Sequence, residues 1–182
     1  MTVICPADYN QTKAATLAIA EMDGPVYLRF GRPKVPNFTP ANAEFKIGKA
    51  DVLKEGKDLS IIATGHLVWK SLEAAAELEK IGIDAEVINI HTIKPLDEEA
   101  ILKSVRKTGA CVVAEEHQII GGLGSRVAQV LASNAPSPIE FVGVKDVFGE
   151  SGTPEQLLVK YGLSNEHIVE AAQKVISKRH PA

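Results

Sequence analysis

The sequence predicts an α/β fold: a three-layer α/β/α domain built on a mostly parallel, five-stranded sheet, with a short βαβ tail ahead of it. Three observations predict it. From Leu59 onward short apolar runs alternate with stretches of helical period, the order that gives a parallel sheet covered on both faces. Those runs are nearly continuous rather than alternating, as strands buried on both sides must be. Residues 110–131 then read as buried strand, glycine-rich bend and helix in direct succession.

Taken in order, Thr2-Val3-Ile4-Cys5 is apolar and β-leaning and reads as a strand, broken by Pro6-Ala7-Asp8. Asp8 or Asn10 caps a helix whose apolar stripe holds Ala14, Ala15, Leu17, Ala18 and Ile19. Asp23-Gly24-Pro25 ends it, and Val26-Tyr27-Leu28-Arg29-Phe30 is the next strand. Such a unit of about thirty residues is too small to bury a core alone. Either later residues cover it, or it closes a domain that begins elsewhere. Residues 31–48 carry Pro33, Pro36 and Pro40 without helical or strand period, the mark of an extended linker and a boundary.

Beyond the linker the alternation is regular. Residues 59–64 form a strand, and 66–81 an amphipathic helix with Leu67, Leu72, Ala75, Ala76 and Leu78 inward and Gly82 as its left-handed stop. Residues 85–90 form a strand, and Asp97 caps a helix that turns Ile101, Leu102 and Val105 inward. The strand 110–114 follows, with burial giving way to polarity at Glu115, Glu116 and His117; Ser125 opens the helix of Val127, Val130 and Leu131. Residues 139–144 are a strand, Thr153-Pro154-Glu155 opens a helix that Gly162 ends, and 164–176 is the last helix. One strand is free to run antiparallel at an edge.

Composition excludes several function classes. The chain has 182 residues, 45% hydrophobic and 24% charged, an ordinary soluble balance with room for one main core and an appendage. A net charge of -3 and a pI near 6.0 speak against nucleic acid, whose binding shows as a basic excess. Lys178-Arg179-His180 is short and terminal and reads as a solvated helix end. Two cysteines, Cys5 and Cys111, the latter inside an apolar run, fit a reduced cytoplasmic protein better than a disulfide scaffold or zinc site. No apolar run approaches the ~20 residues of a membrane span, and no signal-peptide pattern opens the chain.

Candidate chemistry is sparse. Gly121-Gly122-Leu123-Gly124, between strand and helix, would turn backbone amides towards an anion. It has neither the dinucleotide spacing nor a P-loop's Gly-Lys-Ser/Thr, so a tight turn with close helix packing is the first reading. None of His66, His91, His117, His167 and His180 falls in a metal-ligand spacing, and His66, opening a helix, reads as a satisfied polar cap. There is no Gly-x-Ser-x-Gly elbow and no reactive cysteine context. Arg29 and Arg32 are the candidate binding residues. Three apart on a strand they do not share a face, but Arg32 lies just past the strand end, where its guanidinium can reach a cleft and match a phosphate. The competing reading is a surface salt bridge.

Five motifs in order carry a resemblance: Pro-Ala-Asp-Tyr-Asn-Gln (6–11), Gly-Pro-Val-Tyr-Leu-Arg-Phe-Gly-Arg (24–32), Ile-Lys-Pro-Leu-Asp (93–97), Glu-Glu-His-Gln-Ile-Ile-Gly-Gly-Leu-Gly-Ser (115–125) and Phe-Gly-Glu-Ser-Gly (148–152). With these the chain resembles the thiamine-diphosphate transketolase superfamily over essentially its whole length, and in particular the separately encoded C-terminal section of a split bacterial transketolase. Deoxyxylulose-phosphate synthase and the beta subunit of 2-oxo-acid dehydrogenases share this layout and stand as alternatives, as does a non-catalytic assembly domain.

The resemblance implies that residues 1–32 end a pyrimidine-binding domain, 33–48 are linker and 49–182 are the C-terminal domain. It implies an enzyme of the pentose phosphate pathway type that uses thiamine diphosphate and magnesium to move a two-carbon ketol unit between sugar phosphates. Its partners would be an N-terminal section or subunit and a second copy in a homodimer, with no nucleic acid and no membrane. Arg32 falls on the family arginine that binds the substrate phosphate; Arg29 is nearby without an equally general role. Glu115, Glu116, His117 and the glycine bend match a motif that is structural or at subunit contacts. The residues that hold the cofactor's aminopyrimidine lie upstream, so no catalytic, cofactor-binding or metal residue is assigned here. The chain alone is expected to be inactive and to bind no thiamine diphosphate.

Overall fold

A computed structural model describes residues 1–179. Its first part is β1 (Thr2–Ile4), α1 (Tyr9–Ala20) and β2 (Val26–Leu28), followed after the proline-rich stretch by β3 (Asp51–Lys54), β4 (Leu59–Thr64) and α2 (Leu67–Lys80). Then come β5 (Ala85–Asn89), β6 (Thr92–Lys94), α3 (Glu98–Thr108), β7 (Cys111–Gln118) and α4 (Leu123–Asn134). The last elements are β8 (Ile139–Val144), α5 (Pro154–Lys160) and α6 (Asn165–Ile176).

The continuous apolar runs become the strands of the main sheet, ordered β3-β5-β4-β7-β8. Every residue of β4 and β5 is buried, as a central strand between two helical layers requires. All neighbours pair in parallel except β3, which runs antiparallel to β5 at the edge. The pleat divides the core in two. Ile61, Ala63, Val87, Val112 and Ala114 face α2 and α6, while Ile62, Ile88, Cys111 and Val113 face α3 and α4. The crossovers β4–α2–β5 and β5–α3–β7 therefore run on opposite faces, and the sheet's switch point lies between β4 and β7, at their carboxyl ends.

A second sheet is small, ordered β2-β1-β6. β1 and β2 pair in parallel, and β6, from beyond the proline-rich stretch, adds antiparallel to β1. The intervening chain is tied down. The buried Asp8 carboxylate caps α1 by accepting from Gln11 N at 2.9 Å, and it also accepts from Phe38 N at 2.8 Å, Thr39 N at 2.7 Å and Thr39 Oγ1 at 2.6 Å. Phe38 stacks on Trp69 of α2 with ring centroids 5.7 Å apart. Beneath this, Gln11 joins α1 to the large sheet: its Oε1 accepts from Asn89 of β5 at 3.0 Å and its Nε2 donates to Asp51 of β3 at 2.9 Å. His91 is buried beside them under Phe45, and burial pushes its pKa below the ordinary histidine value, against the pull of the Asp51 charge.

Several expectations need correction. β7 does not end where polarity begins: it continues to Gln118, and Glu115 is only 3% exposed. The helix after the glycine bend starts at Leu123 rather than Ser125. Lys178 is exposed, as a solvated helix end should be, though with Lys174 it also pairs with Glu140 on β8; His180 lies outside the described residues. β3 and β6 were not resolved as strands, because their residues take extended form only through partners distant in sequence. The capping expectations at Asp97 and Thr153 are met, the latter as a full capping box with Gln156.

Burial pushes the Cys111 thiol up to about 12, and it raises Cys5 as well, against the nearby Arg29 charge. The thiolate is the reacting form. Both cysteines are therefore expected to resist iodoacetamide at pH 8 in the native chain and to react stoichiometrically in denaturant. Mass spectrometry of the quenched reaction checks this, and native labelling of Cys111 would contradict it.

Candidate functional site

At the switch point the small sheet is driven into the large one. β4 ends at Thr64, and Gly65 turns the chain with φ +59, a left-handed conformation. A Cβ on Gly65 would lie 2.8 Å from Cys5 Sγ, so the end of β1 sits directly against the end of β4. β2 lies one strand further along. Arg29 N donates to Ile4 O at 2.8 Å, and the Arg29 guanidinium reaches across to donate to the Glu116 carbonyl on β7. Glu116 turns its carboxylate the other way and accepts from His66 Nδ1 at 3.0 Å. That bond holds the Glu116 carboxyl below the ordinary carboxylate range, assisted by the His66 and Arg29 charges and opposed by burial.

The crevice that open α/β sheets offer to ligands is thus divided by the protein's own Arg29. On one side of it is a cavity of about 110 Å³ lined by Cys5, Arg29, Gly31, Thr64, His66 and Glu116, room for a few waters. Beside it opens a groove of about 580 Å³ between the chain after β2, α2 and α5, within the size range of small-molecule sites. Arg32, Lys34 and Lys70 bring positive charge to this groove, Glu116, Glu155 and Glu166 bring negative charge, and Trp69, Leu157 and Tyr161 give it an apolar wall. Arg32 is exposed, and no carboxylate pairs with it among the described residues. A cleft of about 740 Å³ lies on the opposite side, under Tyr27, Ile93 and the start of α4.

The two sequence-predicted residues therefore part company. Arg29 ties β2 to β7 through the Glu116 carbonyl and lines the cavities on either side of it, and Arg32 faces an open groove. His66 is corrected too: its side chain makes no capping bond to α2 and instead pairs with Glu116. That pair was missed, since β4 and β7 meet only through the sheet and nothing local marks a contact fifty positions apart. The glycine bend is the tight, closely packed turn of the first reading: a Cβ on Gly122 or Gly124 would strike Glu115 or Phe141. Leu123 N and Gly124 N donate to the Glu115 carboxylate, each at 2.8 Å.

These observations test the residues present against thiamine diphosphate and magnesium. The N-terminus of α4, at the switch point, already holds a carboxylate of its own chain. Among the described residues no cluster of three His, Cys, Asp or Glu side chains converges on a metal position. The residues of this chain alone do not fit the cofactor.

The molecule is a doubly wound α/β domain with a groove of mixed charge at the junction to a partial second sheet. The chain belongs to the transketolase C-terminal domain family, whose model matches residues 48–168. Over 180 residues it is 48% identical to a 6-deoxy-6-sulfo-D-fructose transketolase subunit of Clostridium sp. (strain MSTE9), covering 99% of this chain and 56% of that protein. Over 181 residues it is 44% identical to a putative transketolase C-terminal section of Methanocaldococcus jannaschii, covering 98% and 56%. A solved structure of a split-gene transketolase, an inactive beta4 tetramer, superposes with a TM-score of 0.96 at 49% identity, covering 99% of this chain and 59% of that one. The chain thus spans little more than half the length of these relatives.

Proposed function

We propose that the chain serves as the C-terminal part of a thiamine-diphosphate-dependent transketolase that moves a two-carbon ketol unit between sugar phosphates. Residues 1–32 complete a pyrimidine-binding domain, 33–48 are the linker and 49–182 the C-terminal domain. An N-terminal section supplies the cofactor site with magnesium, and the working unit is a homodimer. β2 supports this division, because it is an open edge of a sheet too small to stand alone. So do the longer relatives. The two unbridged thiols suit the cytoplasm.

One observation carries the reading: the exposed Arg32, with no carboxylate paired to it among the described residues, lines an open groove beside the sheet's switch point. A guanidinium there can take a sugar phosphate through two parallel bonds. Titration calorimetry of the chain alone with thiamine diphosphate and magnesium is expected to show no binding; micromolar affinity would refute the division of labour. In the enzyme assembled with its N-terminal section, Arg32→Ala is expected to raise KM for a sugar phosphate by at least about tenfold. An unchanged KM removes Arg32 from the substrate site.

A further inference from the structure

His66 and Glu116 do nothing that the fold itself requires. The His66 side chain caps no helix, and the Glu116 carboxylate has His66 as its one side-chain partner among the described residues. Yet the imidazole is well packed, with 14% of its side chain exposed. Its edge lies against Gly31: a Cβ there would stand 2.1 Å from Cε1 and 2.8 Å from Nε2 of the ring. Gly31 is not in the left-handed region. Glycine is required there by the ring, and not by the backbone angle. Glu116 holds the ring in that place by Nδ1.

Gly31 immediately precedes Arg32. We propose that His66, oriented by Glu116, is a positioning residue for the substrate anion: its ring is the seat on which the chain at Gly31 rests, and that seat aims Arg32 into the groove. This inference rests on the reading of Arg32 as a phosphate ligand. The seat joins three elements, since Glu116 comes from β7, His66 from the end of β4 and Gly31 from beyond β2. Arg29, tied to the Glu116 carbonyl, braces the same strand end from its other side. An error of an ångström at the seat is passed directly to the guanidinium, and positional errors of that size are costly to binding and rate.

The assembled enzyme tests it. Gly31→Ala is expected to raise KM for a sugar phosphate about tenfold while kcat stays within about twofold. The KM for the matching unphosphorylated ketose should not follow. Removing the ring should cancel the effect: the KM of G31A/H66A should match that of H66A alone, a non-additivity that direct contact produces. Additive effects, or a wild-type KM for G31A, would overturn the proposal. Imidazole 15N spectra of the full chain by itself give a second measurement. Glu116→Gln and Gly31→Ala should each move the His66 resonances, and unmoved resonances in Gly31→Ala would overturn it independently of any assay. Arg32→Ala separates the two layers. If that variant leaves KM unchanged, the phosphate reading fails; if it raises KM while G31A does not, only the positioning role fails.

Discussion

Asp8→Ala is expected to lower stability by about 4 kcal/mol and the melting temperature by about 10 °C. The carboxylate is 3% exposed and accepts four hydrogen bonds, one from the first turn of α1 and three from Phe38 and Thr39. Loss of an N-cap alone costs about 1 kcal/mol. The remainder comes from the buried amides of Phe38 and Thr39, which would keep their desolvation cost and lose their acceptor. α1 has little else to hold it, with only Gln11 and Ala15 buried and no acidic residue in its first turn. Asp8→Asn separates the two roles. Asparagine caps helices as well as aspartate does, but its NH2 would face the Phe38 and Thr39 donors. Thermal unfolding should therefore place Asp8→Asn close to Asp8→Ala. A variant nearly as stable as wild type would mean that the linker anchor contributes nothing.

The same residue shows how far local reading reaches. Asp8 was legible as a cap because the signal is an acidic side chain ahead of a helical stripe, all within a few residues. Its hold on Thr39 was not, since that bond spans 31 positions and leaves no periodicity. β4, β5 and β8 were legible for the same local reason: apolar runs bounded by turn residues. β3 and β6 are short and carry charged ends, Asp51, Lys54 and Lys94, and only pairing with β5 and β1 makes them strands. At the site, the place of Arg32 beside a groove follows from its position beyond a strand end. The reach of Arg29 to the Glu116 carbonyl was not legible, because residues on different strands decide where a long side chain goes.

Glu115 is the residue whose meaning changed most, and Glu115→Ala carries the other large expectation, a loss of about 3 kcal/mol. Sequence placed it where polarity begins; in the fold it is a buried carboxylate on β7 that accepts from the first two amides of α4. Bonds to a charged acceptor are worth about 1.5–3 kcal/mol each, and the positive end of the helix dipole adds to them. The glycines of the bend follow from this: a Cβ on Gly122 would lie 2.2 Å from Glu115 Oε2, and one on Gly124 would lie 2.7 Å from the Phe141 ring. Glu115→Gln retains one acceptor oxygen and presents its NH2 to the other amide, so it should fall between Glu115→Ala and wild type. If the carboxylate acts as an internal anion, an external one can replace it. Acetate should raise the melting temperature of Glu115→Ala and leave that of wild type unchanged, because a ligand stabilises only the state that has a place for it. An Ala variant as stable as wild type would show that α4 does not depend on the Glu115 carboxylate.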